Sequence, residues 1–507
     1  MERQNLVEMR GITKRYSSGT LANDRVSFSL KENEIHAVAG ENGAGKSTLM
    51  KILFGVEQPD AGTIIVNGQS VTFHTPRDAM AMGIGMVYQH FMLVDELPVW
   101  QNLFLGAEKM KGPFLDQEAM IAETNRLCQL YDMPLDPQAL CGQLPVSARQ
   151  KVEILKVLAR NAKVLILDEP TAVLTPQETE QLFRQLRLLR DAGHTIVIIT
   201  HKLKEMKALC DRVTVMRGGK TVGVYQIDEI TEQKLSELMV GGSVRLHVQK
   251  TTAHPGKAIA GVRDLTITNP NGKRKLDQVS FDLHAGEILC LVGVEGNGQQ
   301  QVVECMTGEK TNYEGSITFN GTNIRNMPVK ALRRLGMSHI PEDRMIVGTD
   351  QQASIYHNLL ATRFEEEAKL GFLKTKKLRA QCQEAMKKFM IKGALNDSLA
   401  SLSGGNMQKV VLAREFSDDC TMIVADQPTR GVDVGAISFI HDQLIKMRDE
   451  GKAILLVSAD LGEVLDLADR ILVFREGRIA AQIDDPAAVD EQILGRYMLG
   501  VEEKEHE

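Results

Sequence analysis

Residues 40–48, Gly-Glu-Asn-Gly-Ala-Gly-Lys-Ser-Thr, carry the spacing G-x-x-x-x-G-K-[ST] after an apolar run and at the start of a helical one. Gly40, Gly43 and Gly45 let backbone N–H groups around Asn42 turn toward a triphosphate, and the helix N-terminus favours its negative charge. Lys46 is placed to reach the β- and γ-phosphates and Ser47 to ligate magnesium, with Thr48 next in the loop. A second group closes the apolar run 164–167, which ends in Asp168 and Glu169. A buried strand cannot continue charged, so both carboxylates belong at its exposed tip. There Asp168 can hold the magnesium shell and Glu169 can polarise water. The apolar run 195–200 leads into His201, and Gln89 follows the run 84–88. A strand-end histidine is more often structural than catalytic, and a lone glutamine carries almost no weight. The spacing of His201 from Glu169 makes it a candidate, and the Gln89 amide can contact metal or water.

The elements that must position these residues recur. Residues 9–68 lie over 262–321 without a gap, placing Val-Ser-Phe at 26–28 on Val-Ser-Phe at 279–281 and the loop 40–45 on Gly-Val-Glu-Gly-Asn-Gly at 293–298. Further on, Leu144 falls on Leu402, Asp168 on Asp426 and Thr200 on Ser458. A repeat of half the chain implies two whole domains, not a solenoid with units of ~20–50 residues. The polar stretch 244–257 reads as a short linker between a first domain, 1–243, and a second, 258–507. Short apolar runs alternating with helical stretches predict buried parallel strands in an α/β fold. Residues 63–66 and 316–319, each followed by Asn-Gly, predict strands ending at tight turns and add an antiparallel part. Residues 99–135 and 357–395 predict helical insertions.

Composition removes several classes. The 507 residues hold 60 Lys+Arg against 66 Asp+Glu, a formal net charge of −6, without the basic surplus of a sequence-independent nucleic-acid coat. The longest apolar runs fall far short of the ~20 residues of a membrane-spanning helix. The start, Met-Glu-Arg-Gln-Asn-Leu, lacks the features of a signal peptide. Seven scattered cysteines fit reduced thiols in a cytoplasm, without disulfide partners or a zinc site. The acidic end, 502–507, reads as a disordered tail.

The ordered set of motifs closely resembles the nucleotide-binding domains of ATP-binding cassette (ABC) proteins, twice over nearly the whole chain. The resemblance implies two tandem P-loop NTPase domains, each with a mixed sheet core, an antiparallel β part and a helical subdomain, and implies ATP and Mg2+ as ligands. It implies that Tyr16 stacks on adenine, that 40–48 is the Walker A loop, that Gln89 is the Q-loop residue, that Asp168 and Glu169 are Walker B and that His201 is the switch histidine. It also implies composite sites, with ATP between the Walker A loop of one domain and the signature L-S-G-G-Q of the other. The second copy carries nearly that signature, Leu402-Ser403-Gly404-Gly405-Asn406, whose Ser403 hydroxyl and Gly404 and Gly405 amides can donate to a γ-phosphate. In the first copy Pro145 removes a hydroxyl and an N–H, and Ser147 takes the place of a glycine. The opposing loop is altered as well: Gln299 and Gln300 replace Lys46 and Ser47, while Glu169 maps to Gln427, His201 to Ala459 and Tyr16 to Asn269. One competent and one damaged site are expected, the damaged one either binding nucleotide weakly or serving only as structure.

Paired cassettes with a degenerate second loop and the stretch 171–178 look like ATPase subunits of bacterial importers for simple sugars and nucleosides. The stretches 88–93 and 433–441 are similar to the nucleoside branch. The resemblance implies a place on the cytoplasmic face of the membrane with two permease subunits, an extracytoplasmic substrate-binding protein acting indirectly and no nucleic acid. Simple sugars and a riboflavin-like solute stay open beside purine nucleosides. Phe91, Met92, Leu93 and Trp100 either form the docking surface or belong to the core of the helical insertion, with core the better reading for any one of them. A rival from another class is a soluble two-cassette factor acting on ribosomes, which the short linker and the damaged second site disfavour.

Overall fold

The structure is a computed structural model describing all residues except 1–4, 18, 90, 172–173, 243–249, 270–271, 365–367, 370–371, 374, 417–418 and 501–507, with the side chains of 368–369, 372–373 and 434 also undescribed. His90, residues 244–249 of the expected linker and the acidic end therefore lie outside the described residues. The chain divides into two compact units, 1–244 and 245–507.

In the first unit the central sheet runs in the order Lys220–Gln226, Arg212–Arg217, Ile35–Ala39, Thr195–Thr200, Val164–Asp168, Ile84–Val87. All neighbours are parallel except the first pair. Helices cover such a sheet on both faces, so its inner strands are buried along their length and mainly apolar, as Ile35–Ala39 and Val164–Asp168 are apart from His36 and the strand-end Asp168. Register sets Ile199 beside Asp168 and Thr200 beside Ala39, so the strands that carry the phosphate loop, the two carboxylates and His201 end level with one another. Ligands of open parallel sheets bind at this carboxyl edge.

An antiparallel sheet, Leu21–Lys31, Asn5–Arg15, Ala61–Val66 and Gln69–Val71 in spatial order, forms the second layer. Its last hairpin turns on Asn67 and Gly68, both at positive φ (52° and 76°), as a two-residue turn between twisted strands requires. The second unit repeats this plan, with parallel neighbours Met337–Ile340, Met422–Asp426, Ala453–Val457, Ile288–Val292 and Arg470–Arg475, then antiparallel Arg478–Ile483.

The insertions are helical but not only helical. Between Val99–Phe104 and Gln117–Leu130 stands a hairpin, Met110–Lys111 with Phe114–Leu115, and Ala368–Lys369 pairs with Phe372–Leu373 in the second unit. Strands of two residues show no alternation that a sequence reading can detect. Trp100 is buried at 6% exposure and Met92 is exposed at 59%, while Phe91 and Leu93 are half-buried, so of the four apolar candidates only Trp100 is core. Residues 250 and 251 are tied to the second unit: Arg448, itself buried, donates from Nη2 to the Thr251 carbonyl (3.0 Å) and hydroxyl (2.9 Å), and Lys250 lies 3.6 Å from Asp469. Among the described residues no helix is long and apolar enough to cross a membrane.

Candidate active site

The phosphate loop of the first unit leaves strand Ile35–Ala39 and ends at Gly45, the N-cap of helix Lys46–Leu53. Gly45 sits at φ 94°, and a Cβ there would meet the Ala22 carbonyl oxygen at 2.2 Å and Asn23 Nδ2 at 2.6 Å. Only glycine fits such a backbone pressed against a neighbouring strand. Asn23, buried, donates to the Gly45 carbonyl at 3.2 Å and fastens the loop's end. Lys46 is 5% exposed, and its Nζ donates to the carbonyls of Gly40 (2.7 Å) and Glu41 (2.9 Å). Burial lowers its pKa, opposed by the charges of Glu169, Asp168 and Glu41.

The carboxylates stand at the strand tip as expected. Burial raises the Asp168 carboxyl, the charge of Glu169 adds to this, and Ser47 and Lys46 oppose it. Ser47 Oγ lies 3.5 Å from Asp168 Oδ1. Two hard oxygen donors converging beside a lysine suit Mg2+, so the residues present fit that ion. Burial would raise Glu169 too, but its hydrogen bond to His201 and the charges of His201, Lys46 and Lys202 outweigh that and hold it below the usual range. Its two oxygens are shared, Oε1 with His201 Nδ1 at 3.0 Å and Oε2 with Gln89 Nε2, which donates at 3.1 Å. The structure thus brings Gln89 to Glu169. Tyr16 stands beside the loop, its hydroxyl 3.4 Å from Thr48 Oγ1 and its ring 5.5 Å from Lys14 Nζ.

Glu169 occupies left-handed backbone, φ 47°, with its N–H donating to the Ile199 carbonyl at 3.0 Å. Gln427 repeats this at φ 48°, its N–H donating to the Val457 carbonyl at 2.8 Å. Strain of this kind costs roughly 1–3 kcal/mol. Because the turn persists where the carboxylate is gone, it belongs to the strand-to-loop geometry.

The second unit keeps the backbone and changes the charges. Gly298 caps helix Gln299–Met306 at φ 114°, but Leu276 stands in the position of Asn23, with its Cδ2 2.6 Å from where a Gly298 Cβ would be. Gln299 replaces Lys46, and Glu304 and Glu309 stand where the first unit has Lys51 and Val56. Asp426, buried and then further raised by Glu309 and Glu304, is pushed up to about 7. Gln427 Oε1 accepts from the Ala459 N–H at 3.1 Å, at the place of the switch histidine. Ser403 caps helix Gly404–Glu415, accepting from the Asn406 N–H at 3.4 Å, whereas Pro145 caps Val146–Leu158 without a side-chain bond. A Cβ on Gly405 would meet Asp433 Oδ2 at 2.6 Å.

A family model described as ABC transporter matches residues 23–172 and again 276–430. The chain belongs to the ABC transporter family. It is a two-cassette subunit of the ATP-binding, ATPase type found in import systems. The nucleoside import ATP-binding protein NupA of Lactococcus lactis is 41% identical over 99% of both chains. The guanosine import ATP-binding protein NupO of Bacillus subtilis is 40% identical over 99% of this chain and 98% of its own. The galactose/methyl galactoside import ATP-binding protein MglA of Escherichia coli is 36% identical over 96% of each. A solved complex of archaeal ribosomal stalk protein aP1 with ribosome recycling factor aABCE1 covers 92% of this chain and 89% of its own at TM-score 0.60 and 19% identity, which shows a shared two-cassette fold alone.

What the sequence reading missed is Asn23 and the network around Glu205. The signal for Asn23 was its replacement by Leu276 in the repeat.

Proposed function

We propose that the chain energises nucleoside uptake as the ATP-hydrolysing subunit of a bacterial importer, working from one competent ATP site. The likeness to two nucleoside import proteins over 99% of the chain carries the substrate class. The sugar reading stands second, on the lower identity to the galactoside import protein. The ribosome-factor reading has only a shared fold behind it.

The site chemistry follows from the first cassette. Ser47 and Asp168 would hold Mg2+, which would supply charge neutralisation to the phosphates. Lys46 and the amides of residues 40–48 bind and orient the triphosphate. Glu169, ionised at neutral pH, takes a proton from the attacking water as general base. His201, donating from Nδ1 to Glu169, holds that carboxylate. Gln89 steadies the second oxygen. Tyr16 offers its ring to adenine. On the family resemblance, Ser403, Gly404 and Gly405 close on the γ-phosphate as the signature motif. Two permease subunits and, through them, an extracytoplasmic binding protein complete the system, with this chain peripheral on the cytoplasmic face. The residues 244–257 serve as the linker.

Uptake of labelled guanosine and of labelled ribose by cells carrying the native chain or its Glu169→Gln variant tests this. Guanosine uptake should depend on Glu169 and ribose uptake should not. Dependence of ribose uptake alone would move the substrate to sugars, and independence of both would overturn the substrate reading and leave membrane-versus-ribosome fractionation to test the importer role.

A further inference from the structure

Outside the residues already placed in the site, one carboxylate touches the chain on both sides of it. Glu205 lies in the first turn of helix Leu203–Leu209, with its side chain 14% exposed. The Thr171 hydroxyl reaches its oxygens at 2.6 and 2.7 Å. Thr200 Oγ1 lies 3.5 Å from Oε2, and Lys202 Nζ lies 3.0 Å from Oε1. Lys202 Nζ also donates to the Thr171 carbonyl at 3.2 Å, and its backbone N–H donates to Thr200 Oγ1 at 3.1 Å. Thr171 follows Glu169 by two residues; Thr200 and Lys202 flank His201. Thr171 and Thr200 are 2% and 3% exposed, so these bonds form away from water, where a charged acceptor is worth most.

The other unit provides an internal comparison. Glu463, the counterpart of Glu205, keeps the bond from the counterpart of Thr200, Ser458 (2.5 Å), but in place of Thr171 and Lys202 it meets His441 Nε2 (2.9 Å). His441 belongs to helix Val434–Asp449, and Asp460 stands in the place of Lys202. There the same carboxylate is tied to a helix of the scaffold, in the unit whose base and switch histidine are Gln427 and Ala459. The bridge from the post-strand loop to the histidine segment accompanies the complete hydrolytic set.

We propose that Glu205 is a positioning residue for ATP hydrolysis: by gathering Thr171, Thr200 and Lys202 on one carboxylate it fixes the separation of Glu169 and His201. The proposal rests on the reading of Glu169 as general base given above. Displacing a catalytic group by about 1 Å costs up to ~100-fold in rate.

The test is steady-state ATP turnover by the full chain with Glu205→Ala, Thr171→Val, the double variant and Glu169→Gln, with binding of a fluorescent ATP analogue as the check on folding. Glu205→Ala should lower kcat about 10- to 100-fold with KM for ATP within about twofold of native. Thr171→Val, which keeps the side chain's shape and removes the hydroxyl, should lower kcat in the same direction. The double variant should fall no further than Glu205→Ala. Native kcat in Thr171→Val, or losses that multiply in the double variant, would overturn the bridge. A rise in KM matched by lost analogue binding would make Glu205 a folding residue. Retained turnover in Glu169→Gln would overturn the reading of the base, whereas lost turnover there with native kcat in Glu205→Ala would overturn only the positioning role.

Discussion

Asp168 and Asp426 end corresponding strands of the two units and meet opposite surroundings. The first has Lys46, Lys51 and Ser47 to offset its burial. The second has Glu304 and Glu309, and its carboxyl is pushed up to about 7. An unfolded aspartate titrates near ~3.9, so between about pH 4 and 7 the native state keeps a proton that the unfolded chain has lost. Stability from this group is therefore full below pH 4 and falls as pH rises to 7. Asp426→Asn removes the effect. Its melting temperature should exceed the native value more at pH 8 than at pH 5, a difference on the order of 2 kcal/mol in unfolding free energy. Thermal melts of both proteins at the two pH values check the sign, and an equal gap at both would mean that Asp426 titrates normally. Glu169 contrasts with it. Since Gln427 already sits at φ 48° in the same turn, Glu169→Gln should keep the fold and the bound nucleotide while losing the base.

At the scale of elements, Ser403 has two candidate duties: capping helix Gly404–Glu415 and reaching a γ-phosphate. Substitutions can separate them. Ser403→Ala removes the cap and should cost about 1 kcal/mol of stability together with turnover. Ser403→Asp keeps a good capping oxygen and brings a negative charge toward phosphate, so stability should survive and turnover should not. Denaturant unfolding beside ATPase rates distinguishes the duties; a turnover loss in proportion to stability in both variants would leave capping as the whole role. Elements of this kind were legible in the sequence because helix caps, glycine turns and apolar strands carry local signatures, and because each appears twice. The two-residue hairpin at Met110–Lys111 and Phe114–Leu115 was not legible, since it is too short to alternate. Nor was the Glu205 bridge: Glu205 and Glu463 are the same residue type in both copies, so laying one over the other reveals no difference. The contrast lies in what the carboxylates touch, 34 residues away at Thr171 and 22 away at His441. The anchoring of Thr251 on Arg448 is equally non-local, and a polar stretch read as linker gives no sign of it.

At the scale of the whole molecule, the two cassettes share a backbone plan and differ in charge where phosphate would bind. A triphosphate is drawn to a loop by an ammonium and by a metal held between oxygens. The first cassette has both in Lys46 and in Ser47 with Asp168. The second has the neutral amide of Gln299 in place of the ammonium, Gln300 in place of the serine and Glu304 in place of Lys51. Bringing a polyanion toward Glu304 and Glu309 is repulsive, and the amides of residues 293–298 do not reverse the sign. This exchange of charges leaves the first loop alone with the side chains that a triphosphate needs, as the proposed single site requires. The expected stoichiometry is one tightly held nucleotide per chain when the Glu169→Gln variant is loaded with Mg·ATP and freed of excess nucleotide by rapid gel filtration. Lys46→Ala in that background should take the value to zero, which assigns the bound molecule to the first loop. Two nucleotides per chain, with one remaining after Lys46→Ala, would mean that backbone donors alone overcome the acidic surroundings of the second loop.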